Sequence, residues 1–329
     1  MNTGSRLTPI LELEEAISVL RWSADANHLY IGTRGLQHAT LTDGHLVFLP
    51  PSQLGITAAA WSDHPALVAA GSACGQLVVA GGEVPWRLDL GGWIHDLCWK
   101  DDLLAVGVGE RLAVYDAHGH LVRDYPFRPG PITAVCWSNH RGARIIAGTV
   151  GGLECYDPAD TARDRPVSVS HSPGAVSVVR PAPDGRAAAC GDVHGDCRVL
   201  FLETDHECVL HGFPGRTDLV GWTATGTHLC VVGGVELTIW EVGLDDVDTE
   251  PIVLDGHEQD ITAMAVAPSD DLIATGDAGG TVSIWERAGD WELVTQLRCA
   301  GSVSALDWWA PGAAITIGTD SGHVYSFSV

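Results

Sequence analysis

The chain is poor in positive charge. Its 329 residues hold 18 Lys and Arg against 42 Asp and Glu, a formal net charge of −24. Such a surface repels phosphate backbones and anionic headgroups, which argues against nucleic acid and membranes as partners. Acidity serves solubility first; a specific basic partner is the sharper reading. No stretch approaches the roughly 20 apolar residues that span a bilayer. The N-terminal MNTGSRLTPILELEEA lacks a basic segment followed by an apolar one, so no signal peptide is expected. Nine cysteines, an odd number scattered through apolar segments, suit a reducing compartment better than a disulfide framework. Together these features predict a cytoplasmic protein, monomeric on its own. Catalytic signatures are also missing: there is no Gly-x-Ser-x-Gly elbow, no strand–helix phosphate loop and no His-Glu-x-x-His. Paired carboxylates such as Asp101-Asp102, Asp245-Asp246 and Asp270-Asp271 sit in turn sequences, and solvated turns account for them. No enzyme is expected.

What the sequence does have is a repeat of about 40 residues, present eight times. An apolar residue opens each unit: Ile17, Ile56, Ile94, Ile132, Val176, Leu219, Ile261 and Val303, at intervals of 38 to 44. Several short strands per unit at this period signal a β-propeller, and its blades form one body because each buries its faces against its neighbours. Residues 1–329 therefore form one domain, although length alone suggests two. In the seventh unit the strands are expected at 261–266, 272–275, 281–285 and 293–297. The first strand ends in a large aromatic at Trp22, Trp61, Trp99, Trp137, Trp222 and Trp308, the behaviour of indoles packed between blades. Glycine-rich second turns recur, as in Gly71-Ser-Ala-Cys-Gly75 and Gly191-Asp-Val-His-Gly195. Each joins two strands rather than a strand and a helix, so turn geometry explains them better than phosphate binding.

Gly256-His257 before a first strand and Trp285-Glu286 at the end of a third strand resemble the WD-repeat family, and Trp240-Glu241, Tyr115-Asp116 and Tyr156-Asp157 end their third strands comparably. The last unit has strands near 303–308, 313–317 and 323–328 and no fourth. Residues 8–14 alternate like a strand and can supply it, the ring closure that the resemblance implies. The count is eight four-stranded blades, with seven as the alternative if one weak unit is not a blade. The fifth is weakest by sequence, because Pro181 replaces its aromatic. The resemblance further implies a non-enzymatic scaffold that binds a protein or peptide partner on the face carrying the second turns and the four-to-one connections. By position, that face should include Arg34, Cys74, Glu110, Gly151, His194, Asp320 and Ser321.

The fifth unit holds a second candidate. Cys190-Gly-Asp-Val-His194-Gly-Asp-Cys197 is a Cys-x3-His-x2-Cys run. Aligned to unit seven, Cys190 falls at Thr275, His194 at Gly279 and His171 near His257. Relatives often carry Ser/Thr, Asp and His, joined by hydrogen bonds, where this unit would carry Cys, His and His. A thiolate with imidazoles suits Zn²⁺, which takes four such ligands in a tetrahedron. The candidate ligands are Cys190, His194 and Cys197, with His171 or His211 as the fourth. Buried packing is the competing explanation, since cysteine behaves as a small apolar residue. Cys98 and Cys136 occupy a repeat position held elsewhere by Ala60, Ala265 and Gly221, which reads as packing. His38, Cys74 and His323 lie near the second-turn end of their blades.

Overall fold

The structure is a computed structural model and describes residues 5–35, 38–42, 45–48, 55–62, 67–81, 85–125, 130–138, 142–204, 206–268, 272–309 and 314–329. These residues form strands and turns, with no helix among them. Eight antiparallel sheets follow one another along the chain, each strand pairing with the next. The first strand of each blade packs on those of its two neighbours, and Val303–Trp309 of blade eight packs on Ile17–Trp22 of blade one. The sheets thus close a ring of eight blades. Blade five is complete despite Pro181: Val176–Pro181, Ala187–Asp192, Cys197–Phe201 and His206–Leu210 pair in order. A proline is tolerated there because it is the last residue of its strand.

The packing between blades explains why the units begin as they do. The second strand of a blade carries a glycine near its end, and the opening side chain of the next blade fills the space. A Cβ on Gly71 would lie 2.4 Å from Ile94 Cγ2, and one on Gly276 would lie 2.3 Å from Val303 Cγ1. The next residue then sits in a β-bulge that recurs in seven first strands. Where it is Ser18, Thr57, Ser177 or Thr262, its hydroxyl reaches two carbonyl oxygens at 2.5–3.2 Å, one in its own blade and one in the next.

The opening residue of blade six is Thr217 rather than Leu219. Ser177 donates to the Thr217 carbonyl just as Ser18 donates to that of Ile56, and Thr217 is fully buried. Leu219 lies two residues further on.

The repeated tryptophans do bridge blades, and their indole N–H groups point backwards. Those of Trp61, Trp137, Trp222 and Trp308 donate to Arg21, Cys98, Arg180 and Ala265 carbonyls of the preceding blade at 2.7–3.0 Å. In blade seven the first strand, Ile261–Val266, matches the expected range, and the other three run longer: Leu272–Asp277, Thr281–Ala288 and Asp290–Arg298.

The ring closes through the N-terminal segment. Leu11–Glu12 pairs antiparallel with the final strand, Leu11 opposite Val324 and Glu12 opposite His323. Ser5–Arg6 adds a contact that the repeat does not foreshadow: it pairs in parallel with Leu297 and Arg298 as a fifth strand on blade seven. One short stretch of chain therefore ties blades seven and eight together.

Candidate partner-binding face

Blade seven shows how one end of a blade is held rigid. His257 Nδ1 lies 2.9 Å from Asp277 Oδ2, and its Nε2 lies 2.7 Å from Thr275 Oγ1. The Trp285 indole N–H donates to the same hydroxyl at 2.9 Å. Asp277 Oδ1 in turn accepts the backbone N–H groups of Gly279 and Thr281, closing the second turn. Burial pushes the Asp277 carboxyl up, but bonds from His257 and Thr281 outweigh it and hold it below its ordinary value. The arrangement is a structural clamp with no free group to react.

In blade five the same positions differ from the sequence alignment. The acid of the clamp is retained as Asp192, which accepts the backbone N–H of His194 at 2.8 Å and that of Asp196 at 3.1 Å. Ser172, whose hydroxyl lies 3.4 Å from Asp192 Oδ2, stands where blade seven has His257. His171 is one residue away, exposed on the outer strand of blade four, opposite Gly152.

The five proposed metal ligands are not brought together. Cys190 packs with Cys136 and Val176 toward blade four, whereas Cys197 packs with Val220 and Trp222 toward blade six. They face opposite sides of one sheet, as successive residues of paired strands do. Burial pushes the Cys190 thiol up to about 12 and the Cys197 thiol well above its usual range, which disfavours the thiolate a metal needs. His194 is exposed in its turn, and His211 points its Nδ1 at Asp196 Oδ1, 2.7 Å away. Among the described residues no group of three His, Cys, Asp or Glu side chains is placed to hold a metal. Cys98 and Cys136 lie in apolar clusters, in keeping with packing. The His38 side chain, Asp270 and Asp271 lie outside the described residues.

The seven residues expected on the binding face do share one end of the ring. Arg34, Cys74, Glu110, Gly151, His194, Asp320 and Ser321 all sit in second turns. Arg34, Gly151, His194, Asp320 and Ser321 are exposed, while Cys74 and Glu110 are half-buried. Cys74 Sγ rests 3.2 Å from Ser72 Oγ, and Ser321 Oγ donates to the Ala300 carbonyl. Of these, only Arg34 and Asp320 reach a cavity of about 590 Å³ at the mouth of the central channel. Its other polar walls come from the four-to-one connections: Arg216, Asp218, Asp260 and Ser302.

Charge on this face is one-sided. Among the described residues its turns and connections carry Glu14, Glu15, Glu110, Asp196, Asp218, Glu258, Asp260 and Asp320, against Arg34 and Arg216. Arg216 is already paired with Asp218 at 3.0 Å. Trp93 lies in the connection into blade three and is 52% exposed, stacked on His95 with ring centroids 5.3 Å apart and planes 3° from parallel. Its carbonyl accepts the N–H of Gly109, which places it beside the Gly109-Glu110 turn. Neither Trp93 nor Asp218 and Asp260 stood out in the sequence, whereas Asp320 did by its position in a second turn. The available signal was a tryptophan outside the repeated tryptophan position.

Known proteins share this architecture. Residues 249–286 match the family model described as WD domain, G-beta repeat. The telomerase protein component 1 of Rattus norvegicus is 26% identical over 163 residues, 48% of this chain and 6% of that protein, so the chain spans only a small part of its relative. The computationally designed protein Ika8 superposes with a TM-score of 0.80 at 18% identity, over 99% of this chain and 100% of its own. Chaetomium thermophilum Sqt1, solved bound to the N-terminus of ribosomal protein L10, superposes with a TM-score of 0.81 at 15% identity, over 98% and 100% of the two chains. Blade seven thus carries a WD-type repeat, and eight four-stranded blades close the ring of a β-propeller.

Proposed function

We propose that this propeller is a non-enzymatic scaffold and that its second-turn face holds a basic segment of a protein partner. The observations that carry the reading lie on one end of the ring: an exposed indole, Trp93, beside the Gly109-Glu110 turn, and a cavity lined by Asp218, Asp260 and Asp320 of blades six to eight. An exposed tryptophan beside carboxylates offers a lysine or arginine both a ring face and an ion pair, and interface anchors are enriched in such aromatics. Sqt1, a neighbour in fold, was solved with a peptide segment of another protein, which supports the peptide class. The Cys/His reading of blade five gains no support from the geometry, since its thiols are buried on opposite faces.

The test is an array of extended peptides of matched length and hydrophobicity, differing in the sign of their charge. The expected result is binding of basic members, weakened about tenfold or more by Trp93→Ala and by the pair Asp260→Asn with Asp320→Asn. Equal binding of acidic and basic peptides, or binding indifferent to these substitutions, contradicts the proposal.

A further inference from the structure

The residue before the repeated tryptophan position varies around the ring. In five blades it is small: Ala60, Cys98, Cys136, Gly221 and Ala265. In blade eight it is Asp307. In blades one and five, which stand opposite each other in a ring of eight, it is Arg21 and Arg180. Both arginines line a second cavity of about 310 Å³, continuous with the channel mouth through Asp218, Leu219, Thr262 and Ser304. At about 30 Å³ per water, that volume holds on the order of ten waters.

Neither guanidinium is satisfied by the protein. Arg21 Nη1 donates to its neighbour's Leu20 carbonyl at 2.8 Å, and Arg180 Nη1 to the Val179 carbonyl at 2.9 Å. Among the described residues neither makes an ion pair or any other side-chain hydrogen bond. Of the carboxylates around them, Asp96 and Asp307 are committed to the wall, and Asp218, which also lines the cavity, is paired with Arg216. Asp96 accepts the backbone N–H groups of Leu97 at 2.9 Å and Val135 at 3.0 Å. Asp307 accepts that of Trp22 at 2.6 Å. A guanidinium carries five donors in a planar fork that matches two oxygens of one anion, so most of this capacity is unused. Thr133 adds a buried hydroxyl on the same cavity with no partner.

We propose that the channel is a binding site for a compact oxyanion with at least two charged oxygens, of the phosphate or dicarboxylate class, bridged between Arg21 and Arg180. The bridge links diametrically opposite blades and neutralises two guanidiniums that the fold itself leaves unpaired. Such charge-assisted, bidentate contacts are the strong kind of hydrogen bond. The site adjoins the acidic mouth, sharing Asp218 with it, and does not depend on the nature of the protein partner.

Isothermal titration calorimetry with inorganic phosphate and, separately, with malonate tests this at low ionic strength, with chloride as the reference salt. The expected result is saturable one-to-one binding of at least one anion by the wild-type chain. Binding falls at least tenfold in Arg21→Gln and in Arg180→Gln and disappears in the double variant. Phosphate alone, malonate alone, or both then identifies the class of oxyanion. An upward shift of the melting temperature by the bound anion, present in wild type and absent in Arg21→Lys/Arg180→Lys, checks the same site while keeping the charge. No saturable binding of either anion, or unchanged affinity in the double variant, overturns the proposal.

Discussion

Substituting Gly318 by alanine probes the joint where the last blade meets the first. A Cβ there would lie 2.6 Å from Ile17 Cγ2, 3.0 Å from Ile17 Cβ and 3.1 Å from Leu20 Cδ1. Ile17 and Leu20 are fully buried and have little room to give. Overpacking of this kind costs about 1–3 kcal/mol, offset by about 0.4–1 kcal/mol from the stiffer unfolded chain. The net expectation for Gly318→Ala is a loss of about 1–2 kcal/mol. Ile17→Ala alone leaves a hole in the same place and costs about 2–5 kcal/mol. In the double variant the offending Cγ2 is gone and the new methyl enters the hole. The double variant should therefore be more stable than the sum of the single effects by about 1–2 kcal/mol. Chemical denaturation followed by tryptophan fluorescence gives all three values, because Trp22 lies at this joint. Additivity within about 0.5 kcal/mol, or a neutral Gly318→Ala, refutes the idea that the opening side chain of each blade plugs a glycine hole in the one before it.

Two further outcomes are expected. Burial pushes the Asp307 carboxyl up to about 6, with Arg21 and the N–H groups of Trp22 and Trp308 opposing it. A folded value above the unfolded one means that the wild type is relatively most stable below about pH 4 and loses that advantage as the pH rises through about 6. Asp307→Asn should therefore gain on the wild type across this window by at most about 3 kcal/mol, read from denaturation curves between pH 3.5 and 7; a pH-independent difference contradicts the assignment. Deleting residues 1–15 removes both short N-terminal strands and the partly buried Leu7, Leu11 and Leu13. A loss of roughly 3–5 kcal/mol should follow, visible as a melting temperature several degrees lower; an unchanged melting temperature is incompatible with closure through this segment.

The eight blades were legible because glycine turns and tryptophans recur at one spacing, and both have a geometric job: the turn reverses the chain and the indole reaches back to the preceding blade. The closing strand was legible because the last unit lacked one and residues 8–14 alternate. Ser5–Arg6 was not, since a two-residue parallel pairing leaves no pattern. Blade six was misplaced by two residues because Thr217, a polar residue, fills a position that is apolar elsewhere, while Leu219 looked the part. The Cys190–Cys197 run looked like a ligand set because spacing does not record which face of a sheet a residue occupies; residues on paired strands sent one thiol toward each neighbouring blade. The clamp acid of blade five is Asp192; the alignment set His194 correctly at the place of Gly279 but read the acid's role there, two residues too late. Second turns pointed to the proposed face, but Trp93, Asp218 and Asp260 on it belong to connections whose lengths vary between units. The channel arginines emerge only when their position is compared around the ring.

The most direct test of a basic-segment binding face is hydrogen–deuterium exchange with and without the tightest basic peptide from the array. The account predicts added protection confined to the connection around Trp93, the segments 256–262 and 300–304, and the turns at Arg34 and Glu110 and at 320–322. Protection on the outer strands or the opposite face of the ring, with none around Trp93 and Asp260, would contradict it.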